Sequence, residues 1–229
     1  MMRAFTSALA GCVLFLAGCT GGDETSGSQA AQAKAALQSL LASRGEQPAL
    51  PLELTPQLIA SLTVPSLEIS IENSGAVAYL VPFSDRRDGG PGALRTWRTA
   101  DDSQVTLRQG VVVTTRGIGN DLNSSDANAA VKAIRTRSPI SGPHTLYLNN
   151  GENGISRIDL LCEMRSVGAE TIEIVERKFN VLHLQENCTG TKGIITYDYW
   201  IDRNDATVRQ SRQWIGPEVG YVRTRLLKK

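Results

Sequence analysis

Thiols, imidazoles and neighbouring carboxylates are the side chains in this sequence whose placement could do chemistry. The thiols are Cys12, Cys19, Cys162 and Cys188, and the imidazoles are His144 and His183. A zinc site needs further ligands, and a nucleophilic site needs a base and an acid, at spacings that can be read. Neither histidine has such company in sequence or an obvious acid cluster beside it. His183 lies between Leu182 and Leu184, which sends it to the solvent face of a strand. Asp101 and Asp102, in ADDSQ, have the composition of a hairpin turn rather than of an acid/base pair. No nucleophile elbow, phosphate-binding loop or cysteine pair at metal spacing occurs. These residues predict a protein that is not an enzyme and holds no metal.

Cys19 is different. A short start with one charge, Arg3, is followed by an apolar run to Leu16 and then by Ala17-Gly18-Cys19-Thr20. The run is too short for a membrane span, which takes roughly 20 apolar residues, and its flanks are those of a secretory signal. The boundary resembles the bacterial lipobox. That resemblance implies diacylation of the Cys19 sulfur, with palmitate-type chains, and cleavage just before it. Residues 1–18 are then a signal peptide, Cys12 leaves with them, and 19–30 are a flexible lipidated tether rich in Gly and Ser. Thr20, rather than Asp, follows the cysteine, which implies sorting to the outer membrane, facing the periplasm. The covalent lipid on Cys19 is the only expected cofactor.

Charge excludes another class. Lys and Arg total 24 against 23 Asp and Glu, so losing Arg3 leaves a neutral body. Nucleic-acid binders carry a basic excess, so no nucleic-acid partner is expected. The membrane is reached through lipid rather than charge. In an oxidising compartment the remaining pair, Cys162 and Cys188, is expected to form a disulfide.

Two kinds of element must position these groups. Residues 31–64 read as a helical extension, with one helix over 31–44 and a second begun by Thr55-Pro56. From 65 to 229 the apolar period is two. Strands are expected at 66–71, 76–82, 94–99, 105–108, 111–116, 145–148, 155–165, 171–178, 180–188, 194–202, 207–215 and 221–227. Residues 126–137 have helical character, and 85–92 read as a loop. The fold class is mainly β, an antiparallel meander closing as a barrel or a sandwich. Cys162 shares a face with Ile158, Leu160 and Met164, and Cys188 shares one with Leu182 and Leu184. Both sulfurs therefore belong to the inward phase, as does the row Ile195, Tyr197, Tyr199 and Ile201.

The stretch from Trp97 to Leu122 reads as three strands followed by a Gly-x-Gly loop. Gly117 and Gly119 can take positive φ there, and Asp121 can close the loop onto backbone N–H groups. Its Trp97, Asp101-Asp102 turn, Val105, Leu107, Gly110, Thr115, Gly117, Gly119, Asp121 and Leu122 resemble the YjbF/GfcB family of group 4 capsule and exopolysaccharide lipoproteins. The resemblance implies a β-rich, barrel-like periplasmic domain on an outer-membrane lipid anchor, encoded with polysaccharide export machinery and required for it. It brings no catalytic residues.

The leading expectation is an outer-membrane lipoprotein, non-catalytic and accessory to capsule or exopolysaccharide secretion or assembly. Its partners would be export proteins or the polysaccharide itself. Trp97, Arg116, Gly117, Gly119, Asp121 and Trp200 are the candidate partner or glycan surface, with Trp97 also suited to core packing and Trp200 out of phase with its inward row. Trp214, Arg98 and Arg212 are secondary candidates. The alternative is a β-barrel lipoprotein that binds a small ligand or lipid. An aromatic fraction of 5% and a buried disulfide argue instead for a filled core. A glycan hydrolase would need two carboxylates about 5–10 Å apart in a cleft, and no motif raises one.

Overall fold

The alternation that begins at Ser66 builds strands almost to the C terminus. The computed structural model describes residues 53–151, 154–191 and 193–229; Cys19, the expected signal and tether, and the helix expected at 31–44 lie outside them. The strands are β1 (Ser66–Ile71), β2 (Val77–Arg86), β3 (Leu94–Arg98), β4 (Gln104–Arg108), β5 (Val111–Arg116) and β6 (Leu122–Asp126). They continue as β7 (Gly142–Asn149), β8 (Ile155–Ile174), β9 (Arg177–Gly190), β10 (Gly193–Asp202), β11 (Val208–Trp214) and β12 (Tyr221–Lys228). Helix α1 (Pro56–Ser61) precedes them and α2 (Asn128–Thr136) separates β6 from β7. All twelve strands form one antiparallel sheet in the order β5-β4-β3-β2-β1-β12-β11-β10-β9-β8-β7-β6. The sheet curls into a nearly closed barrel rather than a sandwich. Pairing of β1 with β12 joins the first strand to the last, so the seam falls in mid-chain, between β5 and β6.

Side chains close that seam. Thr115 Oγ1 accepts from the Leu122 N–H (2.9 Å) and donates to Asp121 Oδ1 (3.0 Å). Asp121 also receives the N–H groups of Gly117 and Ile118, both at 2.9 Å. Gly117 and Gly119 take φ of 79° and 56°, so this loop needs the freedom expected of it. Across the interior, Gln213 acts as a substitute strand. Its Oε1 accepts from Val112 N–H (2.9 Å), and its Nε2 donates to the Gly110 carbonyl (2.8 Å). These are backbone groups of the β5 edge and of its turn, which a neighbouring strand would otherwise satisfy.

The long β8–β9 hairpin uses a bulge to serve two cores. Up to Ser166, the even residues Leu160, Cys162 and Met164 face the barrel interior. A register shift between Ser166 and Gly168 flips the phase, because side chains alternate with period two. Ile172 and Ile174 therefore leave the interior and pack outside it, with Phe179, Leu227, Tyr79 and Ile59 of α1. Burying Ile59 contributes about 2–3 kcal/mol to holding α1 there. Thr55 caps α1 by accepting from Leu58 N–H at 3.2 Å, and Pro56 occupies its first turn.

Three strand readings need correction. Residues 155–165 and 171–178 are not two strands: β8 runs through the bulge at Gly168 without a break, and the turn falls at Val175-Glu176. The loop expected from 85 begins later, since β2 continues to Arg86. β6 was not foreseen, because LNSSD carries no apolar alternation and is held by its ladder to β7. The 126–137 segment is helical as expected. Ala130, Val131, Ala133 and Ile134 of α2 are buried in the barrel's core cluster, and Arg137 Nη1 reaches the Arg203 carbonyl at 2.8 Å.

Candidate functional site

Each end of the barrel opens into a cleft, and the centre is filled. The first cleft, of about 570 Å³, lies where β2, β4 and β12 end and where β3 and β11 begin. Arg86, Arg87, Arg95 and Lys229 bring positive charge to it, Asp85 brings negative charge, and Trp97, Leu67 and Leu226 line it with apolar surface. Asp85 and Arg95 make a bidentate pair at 2.7 and 2.8 Å, and the Arg95 hydrogen bond holds the Asp85 carboxyl below its usual range. Lys229 pairs with Asp205 at 2.5 Å. The second cleft, about 820 Å³, lies at the opposite end, lined by Leu148, Leu160, Ile195, Trp214 and the 216–218 turn, with Asn120 of the Gly-x-Gly loop.

Between the clefts the inward faces of β6, β7, β9 and β10 meet in a polar cluster. His144 and Glu186 are 1% and 2% exposed. His144 Nε2 lies 2.9 Å from Ser125 Oγ, and its ring stacks on Tyr197 with centroids 4.9 Å apart. Its Nδ1 is 3.6 Å from Glu186 Oε2, beyond hydrogen-bond reach, and has no bonded partner among the described residues. Tyr199 donates to Glu186 Oε2 at 3.4 Å, while the buried Tyr197 hydroxyl has no partner among the described residues. Burial, and then the charge of Glu186, push both phenols well above their ordinary value of 10, so they remain neutral donors. Cys162 and Cys188 are joined beside this cluster, as a directly opposed pair on β8 and β9. Ligand atoms of His144, Cys162, Glu186 and Cys188 all lie within 4.8 Å of one another. The serine–imidazole–carboxylate order resembles an acyl-transfer relay, yet the imidazole–carboxylate bond it needs is unmade.

A second histidine cluster occupies the outer wall. His183 contacts Asp198 Oδ1 through Nε2 (2.8 Å) and Glu170 Oε1 through Nδ1 (3.2 Å), and it stacks on Trp200 at 4.6 Å. Trp200 Nε1–H donates to the same Glu170 oxygen at 2.7 Å.

The candidate surface residues do not converge. Trp97, 4% exposed, is core and lines the first cleft, whereas Arg116 and the 117–121 loop stand at the other end and Trp200 is on the wall. Asp121 is engaged in holding its loop. The expectation that neither histidine has an acid cluster nearby is overturned, because strand pairing brings carboxylates to both. A signal existed in the alternation: the phase that puts Leu184 and Cys188 inside also puts Glu186 inside. Likewise His144 shares the phase of Leu146 and Leu148.

Comparisons with known proteins give a family by sequence and a fold by structure. The family model described as group 4 capsule polysaccharide lipoprotein GfcB, YjbF, matches residues 30–227. The crystal structure of the hypothetical lipoprotein YmcC from Escherichia coli (K12) is similar, with a TM-score of 0.66 at 20% identity, over 78% of this chain and 90% of that one. An exported protein with a YmcC-like fold from Bacteroides fragilis matches at a TM-score of 0.34 and 12% identity, over 72% of this chain and 93% of that one. A search of curated proteins found no match.

Proposed function

This chain belongs to the YjbF family of group 4 capsule polysaccharide lipoproteins, and we propose that it is an accessory factor in capsule or exopolysaccharide secretion or assembly. The single observation that carries this reading is the extent of the family match, which takes in the whole barrel. In this reading residues 1–18 are a signal peptide, and acyl chains on Cys19 hold the protein at the outer membrane, facing the periplasm. Two or more chains make such anchoring stable. Among the described residues no helix is long and apolar enough to cross a membrane. The role is non-catalytic and its partners are export proteins or the polymer itself. The basic first cleft suits an acidic saccharide segment, since Arg and Lys side chains recognise carboxylate groups by charge-assisted bonds.

The test is surface polysaccharide in a strain lacking this gene, complemented with wild type, Cys19→Ala or Arg86→Glu/Arg87→Glu. Loss of polymer, restored by wild type and not by Cys19→Ala, is expected. Polymer unchanged by the deletion would sink the proposal. A second reading, a barrel that carries a small ligand or lipid, is favoured by the two clefts themselves. It predicts that a co-purified amphiphile appears in native mass spectra and is lost when Leu160 is replaced by Trp.

A further inference from the structure

The interior cluster holds four groups that metals use, and they come from three adjacent strands. β7 supplies His144, β8 supplies Cys162, and β9 supplies Glu186 and Cys188. All four are buried, and each offers an atom within 4.8 Å of the others. A tetrahedral zinc-class ion, with bonds of about 2.0–2.3 Å, needs its ligand atoms roughly 3.3–3.8 Å apart. The side chains therefore need only small shifts once the sulfurs are free. The imidazole is already set as a ligand is set: Ser125 engages Nε2, and Nδ1, on the Glu186 side, has no hydrogen-bond partner among the described residues. Such outer hydrogen bonds orient metal-binding histidines and select the ligating nitrogen. The Tyr199 hydroxyl plays the corresponding part for Glu186. The second cleft approaches the cluster, being lined by Leu160 and Gly190, next on the same faces to Cys162 and Cys188.

We propose that the dithiol form of this protein binds one zinc-class divalent cation through Cys162, Cys188, His144 Nδ1 and the Glu186 carboxylate. Oxidation to the disulfide and loading with metal are then alternative ways of tying β8 to β9. Entry into the dithiol form is a two-electron reduction. A phosphine reductant attacks the disulfide and takes up the oxygen of one water, becoming the phosphine oxide and leaving two thiols. The cation then displaces the two thiol protons to solvent, and the mixed sulfur–imidazole–carboxylate set suits zinc or cobalt better than magnesium or calcium.

The full-length protein, reduced with a phosphine under argon, is titrated with Co²⁺ and then with Zn²⁺. Saturable binding of one equivalent is expected, with a thiolate-to-cobalt charge-transfer band and the intense visible bands of tetrahedral cobalt, both erased by Zn²⁺. The oxidised protein should show neither. Cys188→Ser, which keeps Cys162, should lose the tetrahedral bands. His144→Ala should weaken binding by tenfold or more, and Glu186→Gln, which keeps the side-chain shape, should do likewise if the alanine variant does not fold. Ser125→Ala should weaken it about tenfold while leaving the bands in place. Absence of saturable binding in reduced wild type overturns the proposal. So does binding that is equal in oxidised protein, in Cys188→Ser or in Glu186→Gln.

Discussion

His144 and His183 are built from the same parts on opposite faces of the same wall. Each imidazole lies beside carboxylate and stacks on an aromatic ring of β10, Tyr197 within and Trp200 without. On the outer face both ring nitrogens of His183 meet acidic oxygens, at 2.8 and 3.2 Å. In the interior, among the described residues, only one nitrogen of His144 is engaged and the Tyr197 hydroxyl has no partner. Side chains at a surface can turn towards each other and water supplies what they miss. Packed strands hold their side chains where the ladder puts them, so polar groups stay near one another without bonding.

The sharpest way to break this comparison is to delete both rings. His144→Ala should cost about 3–5 kcal/mol, because it opens a buried space and removes the Ser125 contact and the stack on Tyr197. His183→Ala, largely covered but in a network that reaches solvent at Glu170, should cost less, about 1–2 kcal/mol. Urea midpoints of the two variants decide it, and equal losses would mean that the two faces are equivalent after all. Next in size is the bridge beside the inner cluster. With its ends 26 positions apart, Cys162→Ser/Cys188→Ser should lose about 3 kcal/mol in the chain-entropy picture.

Outer-face partners can also be removed by acid. The Arg212 hydrogen bond, opposed by burial and aided by Arg223, holds Glu72 below its ordinary 4.5. Burial would raise Asp205, yet bonds from Lys229 and Thr207 bring it from 3.8 down to about 2. Both folded values lie below the unfolded ones, so each carboxylate contributes its full stability above the ordinary value and loses it as pH falls through the folded value. The melting temperature should therefore drop between about pH 4.5 and pH 2. Glu72→Gln/Asp205→Asn should flatten that drop, with the transition followed by circular dichroism.

The smallest expected effect is a gain, at the tip of the hairpin that carries both clusters. Val175 and Glu176 form its turn at φ of 49° and 59°, which side chains other than glycine and asparagine adopt at a cost. Glu176→Gly should raise stability by about 0.5–1 kcal/mol, or a few degrees in melting temperature. Val175 packs against the outer core, so replacing it would forfeit contacts and give less.

The alternation in the sequence was enough to read most of the strands and the inward sulfurs, because period two survives wherever one face is buried; β6, which lacks it, was missed. It was not enough for the β8 bulge, since Ile172 and Ile174 keep the same parity as Leu160 and Cys162 while facing another core. A one-residue shift in register leaves no mark on composition. The histidine clusters escaped for a related reason: Ser125, His144 and Glu186 stand on three different strands, and only strand pairing brings them together. Residues scattered over two ends and one wall, as Trp97, Asp121 and Trp200 are, could be nominated from sequence without revealing that they share no surface.

The position of the seam has a mechanical consequence. The N-terminal arm enters the barrel at β1, which has a full ladder on each side, to β2 and β12, and lies far round the wall from the β5–β6 gap. A pull along that arm is therefore taken up by a strand with a ladder on each side. The Thr115–Asp121 clasp, held by a few side-chain bonds, is spared that load, and the barrel can yield at the clasp without releasing either chain end.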